Sequence, residues 1–371
     1  MFTSDFDYNL PVENIAQTPA EPRDSSRLMA IDKNKKVIEH KHFSDILEYL
    51  RPGDLLVWNN SKVFKARLKG EILLDQKSDN LKDRKSSNKI INLKPVEIFL
   101  LRPSENEGVW KVLAKPGKRL RLGMKISFAH DFSAEVLFKD TDGTVLLDFN
   151  DNDLNVRAKA NKYGEVPTPP YIKNQNVTQE NLTQTYQTVY AKNEGSVAAP
   201  TAGFHFTPEL IEKLKQKGIQ FAEVTLHVGL GTFQPVKTEK LENHKMHHEW
   251  VELTDKNAGL INDAKAEGRR IVAVGTTTVR TLEGIAKTIK EDKNEKRLVR
   301  CFQGDINLFI FPGFEFKVVD VLITNFHLPK STLLVLVSAF AGDREFVLKC
   351  YEEAVKENYR FFSFGDAMVI Y

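Results

Sequence analysis

The stretch IVAVGTTTVRTLEGIAKTIK, residues 271–290, places an apolar strand-like segment directly before a helical one, with one glycine between them. Gly275 lets the backbone turn sharply there, because glycine tolerates conformations that other residues avoid. The segment VVDVLIT at 318–324 repeats this arrangement, since a helix is predicted to start near Ser331. Strands and helices that alternate in this way predict an α/β layer with some parallel strands.

Helix-capping residues predict where further helices begin and end along the chain. Thr207 and Pro208 suit the cap and the first position of a helix, and Gly218 suits its end. Asp343 suits the cap of a last helix over 344–358, before a short terminal strand. The apolar run TLLVLVSAFA at 332–341 is about half the length that spans a bilayer, so it predicts a buried helix.

The middle of the chain has a different sequence pattern, which favours strands over helices. From Lys62 to Asn155, short β-type segments alternate with turn residues, which is typical of a small barrel or sandwich. We therefore predict an α/β fold in which a mixed-sheet main domain, 1–61 and 157–371, is interrupted by a small β-barrel domain, 62–156. The polar stretch 76–94 lacks a clear period and predicts a mobile, solvated loop in the insert.

Composition narrows the possible classes of protein. Lys and Arg total 53 against 50 for Asp and Glu, so the chain is not basic throughout, although a local basic patch would still hold nucleic acid. Its two cysteines, Cys301 and Cys350, suit neither a disulfide framework nor a zinc module. The acidic first residues do not resemble a signal peptide. We expect a cytoplasmic monomer without a membrane segment.

Two loops at predicted strand ends carry polar residues, and ligands of α/β sheets bind at such ends. After Gly275, three threonines and Arg280 suit a carboxylate or a phosphate, although the same residues also suit an ordinary helix cap. In ITNFHLPKST, 323–332, Asn325 and His327 are candidate site residues. The alternative is that His327 only fixes the turn.

Other polar clusters leave similar alternatives open. His205 in GSVAAPTAGFHFTP, 195–208, is either a core histidine or an imidazole presented to a pocket. Asp366 follows a glycine in an apolar frame and is either functional or a turn residue. The histidines of 242–250 lack the spacing of a metal site, so no metal is expected. The basic segments 62–70 and 115–125 suit a phosphate backbone or a solvated edge strand.

Taken in order, these clusters resemble one family closely. The matching motifs cover the chain from Phe6 to Ile370 and are FDYNLPVENIAQTPAEPRDSSRLM, LRPGDLLVWNNSKVFKARLKG, GSVAAPTAGFHFT, HVGLGTFQPV, HKMHHEW, VAVGTTTVRTLEG, INLFIFPGFEFKVVDVLITNFHLPKSTLLVLVSAFAG and YRFFSFGDAMVIY. They resemble the S-adenosylmethionine:tRNA ribosyltransferase-isomerases, the queuosine-pathway enzymes of bacteria. Phe204 stands where the family usually has leucine, and the 76–94 loop is longer and more polar than is typical.

The resemblance implies a reaction. The ribosyl part of S-adenosylmethionine would be transferred to 7-aminomethyl-7-deazaguanine at the wobble position of a tRNA and isomerised to the epoxide of epoxyqueuosine, while adenine and methionine leave. S-adenosylmethionine is then a consumed substrate, and no cofactor is implied. The partners are S-adenosylmethionine and this tRNA.

We assign site roles on that basis as hypotheses. His205 and His327 are the acid and base candidates, with Asp366 orienting one of them, because histidine titrates near neutral pH. Residues expected to bind substrate are Thr201, Gly203, Phe204, His227, Gly229, Gly231, Thr232, His244, His247, Glu249, Thr276, Thr277, Thr278, Arg280, Asn325 and Phe326. Residues expected to bind RNA are Lys62, Lys65, Arg67, Lys115, Lys118, Arg119 and Arg121.

Two rival functions remain open from the sequence. One is an RNA methyltransferase that uses S-adenosylmethionine as a methyl donor, and the other is a non-catalytic RNA-binding module built on the β insert. A methyltransferase predicts methyl label in the tRNA, whereas a binding module predicts tRNA binding without release of adenine.

Overall fold

The computed structural model describes residues 1–73, 94–140, 143–167, 171–172, 179–229, 238–244, 246, 248–289 and 297–371. The predicted 76–94 loop lies outside these residues except for Lys94. The chain forms two compact units. The first comprises Met1–Lys62, Pro169–Glu194 and Ala198–Tyr371, and the second comprises Val63–Thr168 and Gly195–Val197.

The strands follow one another in this order: β1 Arg27–Asp32, β2 Val37–His42, β3 Leu55–Asn59, β4 Ser61–Val63, β5 Arg67–Leu73, β6 Lys94–Pro103, β7 Val109–Lys115, β8 Lys125–Ala129, β9 Phe132–Lys139, β10 Thr144–Asp148, β11 Asn193–Ser196, β12 Gln220–Leu226, β13 Glu249–Leu253, β14 Ile271–Val274, β15 Phe302–Ile306, β16 Val321–Asn325 and β17 Ala367–Ile370. The helices are α1 Ile46–Tyr49, α2 Asp153–Tyr163, α3 Gln179–Thr185, α4 Pro208–Gln216, α5 Asp255–Ala266, α6 Thr276–Thr288, α7 Thr332–Ala341 and α8 Arg344–Lys356.

The first unit is built on a nine-stranded mixed sheet with the order β15-β13-β12-β3-β14-β16-β17-β1-β2. Strands β12, β3, β14 and β16 are parallel neighbours, and β17 is antiparallel to β16 and parallel to β1. The carboxyl ends of β3, β14 and β16 therefore meet at one edge of the sheet. This edge brings the loops after Val274 and Asn325 together, as expected for an α/β sheet.

Both faces of this sheet are buried, which explains why its central strands read as continuous apolar runs. In β14, Ile271 and Ala273 pack into one hydrophobic cluster, while Val272 and Val274 pack into the other. Helix α7 is buried over Leu334–Ala341, which confirms the buried helix predicted from its apolar run.

The capping residues behave as the sequence predicts. Thr207 accepts a hydrogen bond from the backbone N–H of Leu210 at 3.1 Å, and Asp343 accepts one from Phe346 at 3.0 Å. Gly218 follows α4 with a φ of +87°, a conformation that favours glycine. No helix in the described part of the chain is long and apolar enough to cross a membrane.

The second unit contains a closed antiparallel barrel of six strands in the order β10-β7-β6-β5-β8-β9. Buried side chains alternate with more exposed ones along β5 and β6, and Leu68, Ile98, Val112 and Leu147 are buried. A mixed-sheet α/β part and a small β-barrel are thus both present, and the predicted fold class is confirmed. The second unit runs to Thr168 and includes α2, whereas the predicted insert ends at residue 156.

Candidate functional site

A pocket lies at the carboxyl ends of β14 and β16 in the first unit. Its walls are small residues from the segment 198–202, the first residues of α6, and the loop that follows β16. The predicted site residues that line it are Thr201, Thr276, Thr277, Asn325, Phe326 and His327. Six residues predicted from three separate motifs therefore meet in one cavity, whose volume is ≈ 60 Å³.

The backbone of His327 is held on both sides by tyrosines. Its N–H donates to the hydroxyl of Tyr351 at 3.2 Å, and its carbonyl accepts from the hydroxyl of Tyr8. The Nε2 atom of its ring lies 3.1 Å from the hydroxyl of Thr324. Among the described residues, no hydrogen bond reaches Nδ1 of this ring. His327 thus lines the pocket with a fixed backbone and one ring nitrogen that has no hydrogen-bond partner among the described residues.

His205 lies at the end of a short 3-10 turn, Thr201–His205, and both of its ring nitrogens are engaged. Nδ1 lies 2.7 Å from Oγ of Ser26, and Nε2 lies 3.2 Å from Nδ2 of Asn325. The same Nδ2 donates to the carbonyl of Phe362 at 3.1 Å, which fixes the orientation of the Asn325 amide. Nε2 must therefore accept, and Nδ1 must carry the proton that is donated to Ser26.

Both histidines are held neutral. Burial lowers the pKa of His205 to about 3, with smaller contributions from the positive charges of Arg360 and Arg23. Burial alone lowers the pKa of His327 to about 3. Each ring can accept a proton only when a substrate group or a structural change compensates for the lost solvation.

Asp366 does not orient either histidine, contrary to our expectation. Its carboxylate accepts hydrogen bonds from the backbone N–H groups of Arg27 at 3.0 Å and of Arg360 at 2.8 Å. The guanidinium of Arg360 lies 3.4 Å from the same carboxylate. A short polar side chain after a glycine satisfies nearby backbone donors readily, and the turn-forming alternative describes Asp366 correctly.

The three threonines after Gly275 have different surroundings. Gly275 has a φ of +87° and precedes α6, as its predicted sharp turn requires. Thr276 and Thr277 line the pocket at the N-terminus of α6. Thr278 is fully buried and donates to the carbonyl of Val274 at 2.7 Å, so its hydroxyl serves the helix and not the pocket.

Arg280 is not among the residues that line the pocket. It is 4 % exposed and forms a buried ion pair with Glu249, and its Nε donates to the carbonyl of Leu308 at 3.3 Å. The two residues were both predicted to bind substrate, but they bind each other inside the fold. Arg280 lies one turn into α6, which is too far from the helix N-terminus for its side chain to hold a ligand in the pocket.

The two phenylalanines predicted to bind substrate are both buried. Phe326 is fully buried, and its ring packs against Tyr351, Tyr359 and Phe361 in the core. Phe204 is 3 % exposed and packs against Tyr186 and Phe364. Phe326 thus packs in the core and also lines the pocket, whereas Phe204 lines a second, narrow cavity beside His205.

Gly203 serves packing and not the close approach of a ligand. A methyl group at its Cα would lie 2.0 Å from the hydroxyl of Tyr190 and 2.7 Å from Thr188. We predict that Gly203→Ala lowers the free energy of unfolding by about 1–3 kcal/mol through overpacking. Chemical denaturation measures this change. Adding Tyr190→Phe removes the nearest atom and should restore part of the loss, whereas full stability of the single variant would contradict the packing argument.

The remaining predicted residues lie apart from the pocket walls. His227 bonds to Ser61 through Nδ1 at 2.8 Å and stacks on Trp250, and His244 packs against Phe309. Gly229 is half-buried in the loop after Val228, which itself lines the pocket. Gly231, Thr232 and His247 lie outside the described residues. Within the described residues, no group of three or more His, Cys, Asp or Glu side chains could hold a metal ion.

The sequence did not point to several residues that complete the site. Ser26 accepts the hydrogen bond from Nδ1 of His205, and Ser363 lines both the pocket and the narrow cavity. Phe362 has a φ of +75°, which is rare for an aromatic residue and marks a strained position in the pocket wall. Only the tertiary fold shows these contacts, because the partners lie 37 to 179 residues apart in sequence.

The predicted RNA-binding residues fall into two groups. In the second unit, Arg67 is ion-paired with Glu97 and Glu165, so its charge is already compensated. The N–H of Lys65 donates to Asn161 at 3.1 Å, and its side chain is half-buried. The exposed basic residues are Lys62 in the first unit and Lys115, Lys118, Arg119 and Arg121 in the second.

The chain is similar in sequence and in structure to proteins of one family. A family model described as "Queuosine biosynthesis protein" matches residues 3–370. A curated protein of Thermotoga petrophila is 52 % identical over 370 residues, and one of Sulfurihydrogenibium sp. is 49 % identical; each match covers 100 % of both chains. Both relatives are named S-adenosylmethionine:tRNA ribosyltransferase-isomerase. The crystal structure of an S-adenosylmethionine tRNA ribosyltransferase from Thermotoga maritima is 42 % identical, with a TM-score of 0.54, and covers 99 % of this chain and 100 % of its own.

Proposed function

The chain belongs to the queuosine biosynthesis protein family, as an S-adenosylmethionine:tRNA ribosyltransferase-isomerase, and from this premise we propose the reaction that its pocket performs. The ribosyl part of S-adenosylmethionine is transferred to the aminomethyl group of 7-aminomethyl-7-deazaguanine at the tRNA wobble position. It is isomerised to the epoxide of epoxyqueuosine, and adenine and methionine leave. S-adenosylmethionine is consumed as a substrate.

The observation that carries this proposal is the meeting of the neutral His327 and the N-terminus of α6 around one cavity, with a second neutral histidine, His205, hydrogen-bonded to Asn325 in the cavity wall. The N-terminus of α6, with Thr276 and Thr277, offers N–H and hydroxyl donors to the methionine carboxylate. The small residues Ala198, Ala199 and Ala202 allow a flat ring to approach the backbone. At ≈ 60 Å³ the cavity is far smaller than typical ligand pockets of about 300–1,000 Å³, so we propose that substrate binding widens it.

We assign the first proton transfer to His327. The positive sulfur of S-adenosylmethionine acidifies the adjacent C5′ protons, and a neutral imidazole in a dry pocket can accept one of them. Nδ1 of His327 meets this need, because Nε2 bonds to Thr324 and the backbone is fixed. The resulting imidazolium can then return the proton to adenine as its bond to the sugar breaks. His205 is the second acid or base candidate, and its Nε2 becomes available when Asn325 turns toward substrate.

We propose that the exposed basic turn of the second unit holds the tRNA backbone. Lys115, Lys118, Arg119 and Arg121 are exposed and have no ion-pair partner among the described residues. Their charges can therefore displace the counterions that surround RNA phosphates.

Replacing these four residues by glutamine is predicted to flatten the salt dependence of tRNA binding. Each lost phosphate contact should reduce the slope of log K against log salt by about 0.7–0.9. The measurement is tRNA affinity at several salt concentrations, with replacement of the exposed Lys256 and Lys349 of the first unit as the control. An unchanged slope in the fourfold variant would remove the turn from the RNA contact.

The proposed reaction is tested in cells by mass spectrometry of tRNA. Cells that lack the protein should accumulate 7-aminomethyl-7-deazaguanine in tRNA in place of the epoxide. Normal epoxyqueuosine in such cells would contradict the proposal.

A further inference from the structure

A groove on the first unit leads toward His205 from outside the pocket. It has a volume of ≈ 520 Å³ and lies between the segment 19–23, the end of α3 and the start of α4. A narrow cavity of ≈ 10 Å³ is lined by Ser26, Phe204 and His205. The groove and the narrow cavity share Pro19, Ala20 and Arg23, so the two adjoin each other.

The two volumes match the two parts of a modified base. A groove of ≈ 520 Å³ falls within the range of about 300–1,000 Å³ that small ligands occupy. A space of ≈ 10 Å³ is about the size needed for one water molecule, which is also the size of one amino group. A flat ring therefore suits the groove, and only a short arm suits the cavity.

Resting on the proposed function, we infer that the groove receives the extruded wobble base of the tRNA and that the narrow cavity receives its aminomethyl arm beside His205. Extruded RNA bases are commonly held against arginine planes and aromatic rings. The guanidinium of Arg23 lies at the junction, 5.5 Å from the centroid of the Phe204 ring. Its Nη atoms donate to the carbonyls of Gln187 at 2.7 Å and Thr185 at 3.0 Å, which fixes the guanidinium in place.

This placement sets the amine next to the ribosyl pocket. Ser363 lines both the pocket and the narrow cavity. Asn325 lines the pocket, and its amide donates to the ring of His205, which lines the cavity. Asn325 and Ser363 therefore stand between the nitrogen that attacks and the sugar that it receives, and the turn of Asn325 toward substrate proposed above brings the two into contact.

The electrostatics of the cavity favour the neutral, nucleophilic form of the amine. Burial and the positive charges of Arg360 and Arg23 hold the pKa of His205 near 3, and the same surroundings disfavour an ammonium ion. Glu21 and Glu209 line the groove at its exposed rim, where solvent screens their charges.

Two further carboxylates lie close to the cavity, and each has a partner. Asp24 accepts from the hydroxyl of Thr207 at 3.3 Å, at the cap of α4. Asp366 is bound by the backbone and guanidinium of Arg360. Arg23 is the cation that lines the cavity directly, so it is the charge to remove in a test.

The groove is tested by filling it. Val189 lines it and is 44 % exposed, so Val189→Trp should block the groove without disturbing the core. We expect the KM for an anticodon stem-loop bearing 7-aminomethyl-7-deazaguanine to rise at least about tenfold, while the Kd for S-adenosylmethionine is unchanged. Val12→Trp is the matched control, since Val12 is 76 % exposed and lies outside the groove lining.

The placement of the aminomethyl arm in the narrow cavity is tested through the pH dependence of kcat. The amine must lose its proton to react, so kcat rises with pH through the pKa of the bound amine. Arg23→Gln removes the nearby positive charge and should move this rise upward by about one pH unit or more. Arg23→Lys keeps the charge and should leave the rise in place, which a purely structural role of Arg23 does not predict.

The possible outcomes distinguish failure of the proposed function from failure of the proposed base site. If the wild-type protein does not release adenine from S-adenosylmethionine with this stem-loop, the proposed function fails. If it does, but Val189→Trp behaves like Val12→Trp or both Arg23 variants keep the wild-type pH profile, the groove and cavity are not the base site.

Discussion

Replacing His327 with glutamine is expected to lower kcat by about 10²–10⁴, the usual contribution of a positioned acid or base. Glutamine keeps a polar side chain of similar length but cannot exchange a proton at neutral pH. The backbone hydrogen bonds to Tyr8 and Tyr351 do not depend on the imidazole, so the loop should keep its position. Steady-state release of adenine measures the effect.

The size of the loss distinguishes chemistry from binding. A loss confined to kcat, with KM for S-adenosylmethionine changed by less than about threefold, indicates a role in the transition state. The matched control is His42→Gln, since His42 is exposed and distant in sequence from every pocket residue. A folded His327→Gln variant with near-normal turnover would remove His327 from the chemistry.

Replacing Glu249 with alanine is expected to lower the free energy of unfolding by about 3–5 kcal/mol, because it leaves a buried guanidinium without a counter-charge. Arg280 and Glu249 are 4 % and 6 % exposed, and Nη2 of Arg280 already has no hydrogen-bond partner among the described residues. Chemical denaturation measures the change, and Glu252→Ala, at a half-buried position of the same strand, is the control.

A second variant separates the ion pair from simple loss of packing. Replacing both residues with apolar side chains, Arg280→Met with Glu249→Leu, should restore most of the stability, since neither charge is then buried alone. If Glu249→Ala is as stable as Glu252→Ala, the buried pair does not hold α6 to β13. If instead Arg280→Ala is stable but binds S-adenosylmethionine more weakly, the original assignment of Arg280 as a clamp is restored.

The fold could be predicted because its signals are local. Gly275 between an apolar strand and a helix, the caps at Thr207 and Asp343, and the alternating segments of the insert each depend on neighbours within a few residues. The strand order explains why the polar loops after β14 and β16, which the sequence predicted separately, lie close together. Parallel strands end at the same edge of the sheet.

The site could be predicted only in part, because its contacts are long-range. The sequence placed Thr201, Asn325 and His327 among the predicted site residues, and the structure brings them together around one pocket. It could not show that Arg280 meets Glu249, which depends on how α6 packs against β13. It also could not show that Asp366 turns back onto Arg360, away from the histidines.

The most direct test of the proposed reaction asks which part of S-adenosylmethionine, its ribose or its methyl group, enters the tRNA. The protein is incubated with tRNA bearing 7-aminomethyl-7-deazaguanine and with S-adenosylmethionine labelled separately in its ribose and in its methyl group. The proposed reaction predicts ribose label in the tRNA, no methyl label, and release of one adenine for each ribose transferred. Methyl label in the tRNA, or tRNA binding without release of adenine, would contradict it.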